Sequence, residues 1–332
     1  GEGAQYVPIV RNSHRIWREL EALSGEALFE QSGLLVLTSW KGFDPDDASD
    51  FTLRTLGLAQ TYGIEHEVLD AKQIRQRFPQ FAQVADNAIG YYEPEGGFVR
   101  PERCIDVQLK LAEQHGATLY KGETVTDIRS DAHGVTVTTD QRMLQADKLV
   151  VSAGNWAGGL LGSPFDRLLS VYRQQLFWFE LEPGAELEGV SPTYILTHGQ
   201  DETHYGFPAL PGEGSLKIAT AQYHTVSTPE TLDRSVSAAQ EREMYEQQVQ
   251  GRIAGVTAKV IKSAVCAYTV TPDHHFIIDE HPTLQHTLVV SPCSGHGFKH
   301  SAALGEAFAQ WCIYGKSELD LSSFSLKRFE GQ

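Results

Sequence analysis

The apolar positions change their period several times along the chain, and each change marks an expected element. Ile9, Val10, Ile16, Trp17, Leu20 and Leu23 recur at helical spacing and stop before Gly25. The run GLLVLT, Gly33 to Thr38, is of strand type. Residues 48–63 predict a helix ending on Gly63, and residues 70–79 a shorter one capped by Asp70 and closed by Pro79. Pro101 opens another helix, with Ile105, Leu109 and Ala112 expected on its inner face and a stop near Gly116.

Four β-rich runs follow, ATLYKG, ETVTDIRS, GVTVTTD and DKLVVSAG, separated by Gly, Asp and Ser. Leu149 to Ser152 suggests a strand covered on both faces. Residues 167–225 are mostly strand-like, through VYRQQLFWFEL, TYILTH, HYGFPAL and SLKIATAQYH, and STPETLDRSVSAAQEREMYEQQV is helix-prone. AVCAYTVTPDHHFIID and TLVVSP return to strand, with His274 and His275 expected on opposite sides, and a last helix runs to about Tyr314. The fold class is mixed α/β, with one sheet system rich in helices and a second that is more antiparallel.

Composition narrows the partners. A chain of 332 residues, 41% apolar, supports one large core or two domains. A formal charge of −16 makes nucleic acid and anionic membrane poor partners. No apolar run approaches the roughly 18 residues of a membrane span, and no basic-then-apolar leader opens the chain. A soluble, cytoplasmic protein is expected. Cys104, Cys266, Cys293 and Cys312 show neither C-x-x-C nor zinc-finger spacing, so no disulfide framework is expected and at least three should be buried.

Candidate chemistry gathers in the stretch from Val289 to Trp311. An apolar strand leads into Gly295, His296, Gly297, Phe298 and Lys299, and a helix follows. Free N–H groups and a helix N-terminus at such a junction suit an anionic group, and the glycines permit a flat ligand to approach closely. Lys299 in the first turn opposes the helix dipole and should have something to bind. Spacing fits a plain glycine turn with a solvated lysine as well. His296 and His300 have metal-ligand spacing, but no carboxylate or cysteine arrives at a matching interval, so no metal is expected. AGNWAGGLL, Ala153 to Leu161, fits either a close-approach loop or a tight connection. GxGxxG, GxxxxGK[ST] and GxSxG are absent.

In order along the chain, GEGAQYVPIVRNSHRIWREL, YRQQLFWFE, HYGFPAL, AVCAYTVTPDHHFIID, SGHGFKHSAALGEAF and LDLSSFSLKRF resemble the monomeric sarcosine oxidase and N-methyltryptophan oxidase family of flavoenzymes. The resemblance spans essentially the whole chain. It implies a discontinuous Rossmann-like FAD-binding domain over 1–30, 96–165 and 266–332. A substrate domain with a large, mostly antiparallel sheet would take 31–95 and 166–265. The family's first βαβ unit, with its GxGxxG turn, is expected before Gly1, as part of a longer enzyme. The alternative is a non-catalytic remnant lacking the ADP-binding half.

The same resemblance implies roles. Gly295, His296, Gly297 and Phe298 would line the flavin ring, and Lys299 would hold a substrate carboxylate. Cys266 would carry FAD covalently, and Lys217 would stand over the flavin where oxygen reacts. Tyr205 matches a substrate-site tyrosine, and His224 a substrate-site histidine reached through a segment longer than the family's. Val125, Ala153 and Gly154 match backbone that contacts the cofactor. The implied activity is oxidation of a secondary amino acid such as sarcosine or N-methyltryptophan by molecular oxygen. It would yield an imine, then formaldehyde and amino acid, with hydrogen peroxide, on a monomer. Another imino or glycated amino acid, or electron transfer to a carrier as a dehydrogenase, are the alternatives.

Overall fold

The computed structural model describes residues 2–185 and 187–330. Its largest element is a nine-stranded sheet whose strands come from residues 34–93 and 170–270. The strand Ser170–Leu181 is central to the site. It pairs antiparallel with Val256–Val270 on one side and with Ser215–Thr220 on the other. The sheet continues through Glu202–Phe207 and Thr193–Gly199, then parallel onto Leu34–Thr38, and ends antiparallel with Ile89–Glu93 and Glu67–Asp70. The fold is the mixed α/β arrangement expected, with a mostly antiparallel large sheet.

One face of this sheet is dry. Leu35, Leu37, Phe177, Phe179, Tyr194, Leu196, Leu216 and Ile218 are buried there under the helix Ala71–Arg77 and the segment around Met244 and Val249. The helix Ala71–Arg77 starts on Asp70, whose side chain and that of Gln73 form a reciprocal capping box. Side chains alternate across a strand, so the other face receives Tyr205, Lys217, Trp178 and Cys266.

A second layer brings the two ends of the chain together. Ile277–Glu280 and Thr287–Ser291 are antiparallel, and Thr287–Ser291 lies parallel to Leu149–Val151. The long helices Val7–Ser24 and Ser301–Tyr314 pack on this small sheet, burying Tyr6, Ile9, Leu288, Val290, Ala303 and Leu304. Ser13 Oγ, fully buried, accepts a hydrogen bond from the Ala303 N–H at 3.0 Å. Gly25, at φ 72°, ends the first helix where a side chain would be strained.

Several local expectations give way. Ala117–Gly122 forms no strand; the third strand of the meander Val125–Asp131, Gly134–Thr139 is Met143–Ala146. The helix Pro101–Gln114 buries Cys104 and Val107 and leaves Ile105 and Leu109 exposed. Both stripes have helical spacing, and the one facing Trp17 and Leu28 wins. Leu149–Val151 is only partly covered because it is the edge of its sheet; Thr287–Ser291, paired on both sides, is buried throughout. Of the cysteines, all free, only Cys104 is buried. His274 and His275 sit in a turn, with His274 at φ 59°, and not in a strand. Among the described residues no helix is long and apolar enough to cross a membrane.

Candidate active site

The wet face of the large sheet is organised by register. Phe207, Lys217, Trp178 and Lys262 lie opposite one another on four successive strands. The Lys217 ammonium stands 4.6 Å from the Phe207 ring centroid and 5.1 Å from that of Trp178, and Lys262 approaches Trp178 from the other side at 4.5 Å. Cations and aromatic rings therefore alternate across the sheet. Farther along the same face come Gln174 opposite Cys266 and Tyr172 opposite Tyr268. Tyr205 Oη and Tyr268 Oη are 3.0 Å apart.

Burial raises the Cys266 thiol pKa, and the Lys217 ammonium opposes that rise. Burial lowers the pKa of Lys217, with Cys266 acting in the opposite sense. The two groups thus act on one another across the face. Burial also raises the Tyr205 phenol.

The junction from Ser291 to His300 closes one end of this face. Ser294 and Gly295 take left-handed backbone angles, φ 44° and φ 87°. A methyl group on Gly295 would lie 2.8 Å from the Tyr268 ring, and one on Gly297 would lie 1.5 Å from the Pro292 carbonyl oxygen. The turn therefore packs on the tyrosines and on itself. Cys293 Sγ accepts from the Thr269 N–H at 3.3 Å, and Thr269 Oγ1 donates to Asn155 at 2.7 Å. That bond ties Ala153 and Gly154 to the same junction. Phe298 stacks on Trp17, 6.2 Å between centroids.

Lys299 is paired: its ammonium lies 2.6 Å from Glu2 Oε1. Burial opposes the charge on Glu2, but Lys299, with His300 and His296, holds its carboxyl far below the usual range. Burial moves His300 down to about 4 and lowers His296 as well. Tyr6 adds the far wall, its hydroxyl 2.9 Å from His275 Nδ1 and its ring 5.0 Å from that of His296.

The structure brings Tyr205, Lys217 and Cys266 to one face and closes it with the Gly295–Lys299 turn. His224 lies in an exposed loop. Its neighbour Tyr223 reaches the site, with its ring 4.7 Å from that of His274 and its hydroxyl beside Gly295. Val125 begins a meander strand, opposite Thr139. Sequence reasoning passed over Trp178, Tyr223, Tyr268 and Glu2. Alternation from Cys266 points to Tyr268 and alternation along YRQQLFWFE to Trp178, whereas no local signal marks Glu2.

The donor set fits a flavin. Among the described residues no acceptor reaches the N–H of Gly295 or Gly297, which leaves two unpaired donors in the turn, that of Gly297 buried. A half-buried thiol and a desolvated lysine share the adjoining face. The family model for FAD dependent oxidoreductases matches residues 1–311. The chain belongs to that family. It is 35% identical over 330 residues to a monomeric sarcosine oxidase of Bacillus sp. (strain NS-129), covering 99% of this chain and 83% of that one. It is 31% identical over 330 residues to an N-methyl-L-tryptophan oxidase of Salmonella dublin, covering 99% and 85%. A solved structure of a variant of NikD, described as an unusual amino acid oxidase, shares the fold with a TM-score of 0.79 at 20% identity, over 98% of this chain and 84% of that one.

Proposed function

We propose that this FAD-dependent oxidoreductase oxidises a secondary, N-methyl amino acid at the carbon next to nitrogen. The substrate loses two electrons and two protons, and molecular oxygen takes them up as hydrogen peroxide. The imine product hydrolyses to formaldehyde and the parent amino acid. Bound FAD supplies the two-electron acceptor between the two halves of the reaction. The names of the relatives support this substrate class, and the name of the monomeric sarcosine oxidase supports action as a monomer.

One observation supports the carboxylate of that substrate class, the 2.6 Å contact of Lys299 with the Glu2 carboxylate; the N-methyl amine rests on the relatives. Glu2 presents to this ammonium the same group that an amino acid substrate would, and the substrate carboxylate takes its place there. Lys299 binds that carboxylate and orients the amine toward the face holding Tyr205 and Tyr268. Lys217, fixed between two rings, stabilises oxygen as it gains negative charge. Cys266 is the point of covalent attachment, and Gly295 and Gly297 donate N–H groups to the ring edge.

The test is a substrate panel read by oxygen uptake and peroxide release. Sarcosine, N-methyltryptophan, a cyclic imino acid, a glycated amino acid and the corresponding primary amino acids are compared. Turnover of secondary amino acids above the primary ones is expected. Oxidation of primary amino acids alone, or of amines lacking a carboxylate, would overturn the reading. Covalent attachment is checked by intact mass of the denatured chain: the FAD increment should be present, and absent in Cys266→Ser.

A further inference from the structure

Glu2, His296 and His300 converge from opposite ends of the chain, with one potential ligand atom from each within 4.8 Å of the others. Glu2 Oε2 lies 3.4 Å from His296 Nδ1 and 3.7 Å from His300 Nε2. Ligands about 2.0–2.1 Å from a tetrahedral zinc ion stand roughly 3.3–3.4 Å apart, so these spacings need only small adjustment. His300 is fully buried, and neither of its ring nitrogens, nor His296 Nδ1, makes a hydrogen bond of good geometry among the described residues, the Glu2 carboxylate being the polar group beside them.

The outer groups are also those of a metal site. His296 Nε2 faces the His274 carbonyl at 3.3 Å, which favours the tautomer carrying its proton there and turns the Nδ1 lone pair toward Glu2. Lys299 takes the other carboxylate oxygen, Oε1, and leaves Oε2 for the histidines. The rings of Tyr6 and Phe276 wall the cluster at 5.0 and 4.9 Å from His296. The sequence hid the arrangement because its carboxylate comes from residue 2.

We propose that Glu2, His296 and His300 form a site for a divalent transition metal of zinc type, with a fourth position open to water or an anion. Two imidazoles select against magnesium and calcium. The Lys299 charge opposes the cation and weakens its hold. An ion there engages the partner of Lys299, so its occupancy couples to whatever anion Lys299 binds. The site stands whether or not the substrate is a secondary amino acid.

The test is equilibrium dialysis of the chelator-treated holoenzyme against Zn2+ alone, with competition by a chromophoric chelator. One equivalent is expected, bound at least about tenfold more weakly by His300→Leu and by Glu2→Gln, and unaffected by Cys293→Ser. Glu2→Gln keeps the size and shape of a partly exposed side chain and carries the test should His300→Leu fail to fold. Absence of saturable binding, affinity unchanged in the folded variants, or loss of binding in Cys293→Ser would overturn the proposal. No turnover is needed, so the result is independent of the proposed activity.

Discussion

Trp178 and Lys217 are directly opposed on adjacent antiparallel strands, and the lysine ammonium stands 5.1 Å from the indole centroid. A flexible four-carbon side chain is thereby held against a ring that also carries Lys262 on its other side. Losing a fixed cation at a developing anion costs about 100- to 1,000-fold in comparable sites. Lys217→Met should slow reoxidation of the reduced enzyme by oxygen to that degree. Trp178→Leu removes a contact of about 1–2 kcal/mol and should slow it about 5- to 30-fold. Rapid mixing with oxygenated buffer measures both, and substrate reduction should change by less than about twofold. Equal losses in both half-reactions would show that Trp178 is merely structural.

Lys299 makes a charge-assisted contact, of the kind that contributes about 1.5–3 kcal/mol. Lys299→Met should therefore lower kcat/KM for amino acid substrates about 10- to 150-fold. The methyl esters of the same substrates should be affected little, because they lack the charge. Steady-state rates on each acid and ester pair decide it. A parallel loss on both would mean that Lys299 supports the turn and does not read the substrate.

The large sheet was legible because its strands carry their own alternation, and the face bearing Tyr205, Lys217 and Cys266 follows from period two. Its partners were less so. Val256–Val270 was foreseen only from Ala264, since the preceding TAKVIKS is half exposed and polar, and pairing with Ser170–Leu181 overrides that weak local signal. The inner stripe of Pro101–Gln114 could not be chosen from spacing, because two stripes qualify and only the neighbouring helix distinguishes them. The Gly295–Lys299 turn was visible as a motif. Its electrostatic partner Glu2 was not, since contacts nearly 300 residues apart leave no local trace.

Two glycines separate packing from propensity. A Cβ on Gly297 would sit 1.5 Å from the Pro292 carbonyl oxygen, which is backbone and has little room to yield. Gly305, inside Ser301–Tyr314, has nothing within 4 Å of that position. Gly297→Ala should strongly reduce soluble folded protein. Gly305→Ala should leave the fold intact and raise stability by up to about 1 kcal/mol. Urea unfolding midpoints and soluble yield measure the two, and a Gly297→Ala protein of normal stability would contradict the close approach.

His204 lies on the dry side of the strand that presents Tyr205. Both its ring nitrogens are buried, without partners among the described residues. Burial pushes its pKa down to about 3, with His198 and Arg252 adding to the effect. In the unfolded chain a histidine titrates near 6.5. Between those values the unfolded chain binds a proton that the folded one refuses, so full stability is present above about pH 6.5 and is lost as pH falls toward 3. From pH 7 to pH 5 the loss should be about 2 kcal/mol from this group. Burial lowers His198 too, and it contributes in the same direction. His204→Leu replaces the imidazole with a side chain that cannot titrate, so its urea midpoint should fall less between pH 7 and pH 5 than that of the parent. Equal pH slopes in the two proteins would mean that the imidazole accepts a proton when folded, and that water reaches it between the strand and the segment bearing Gln248.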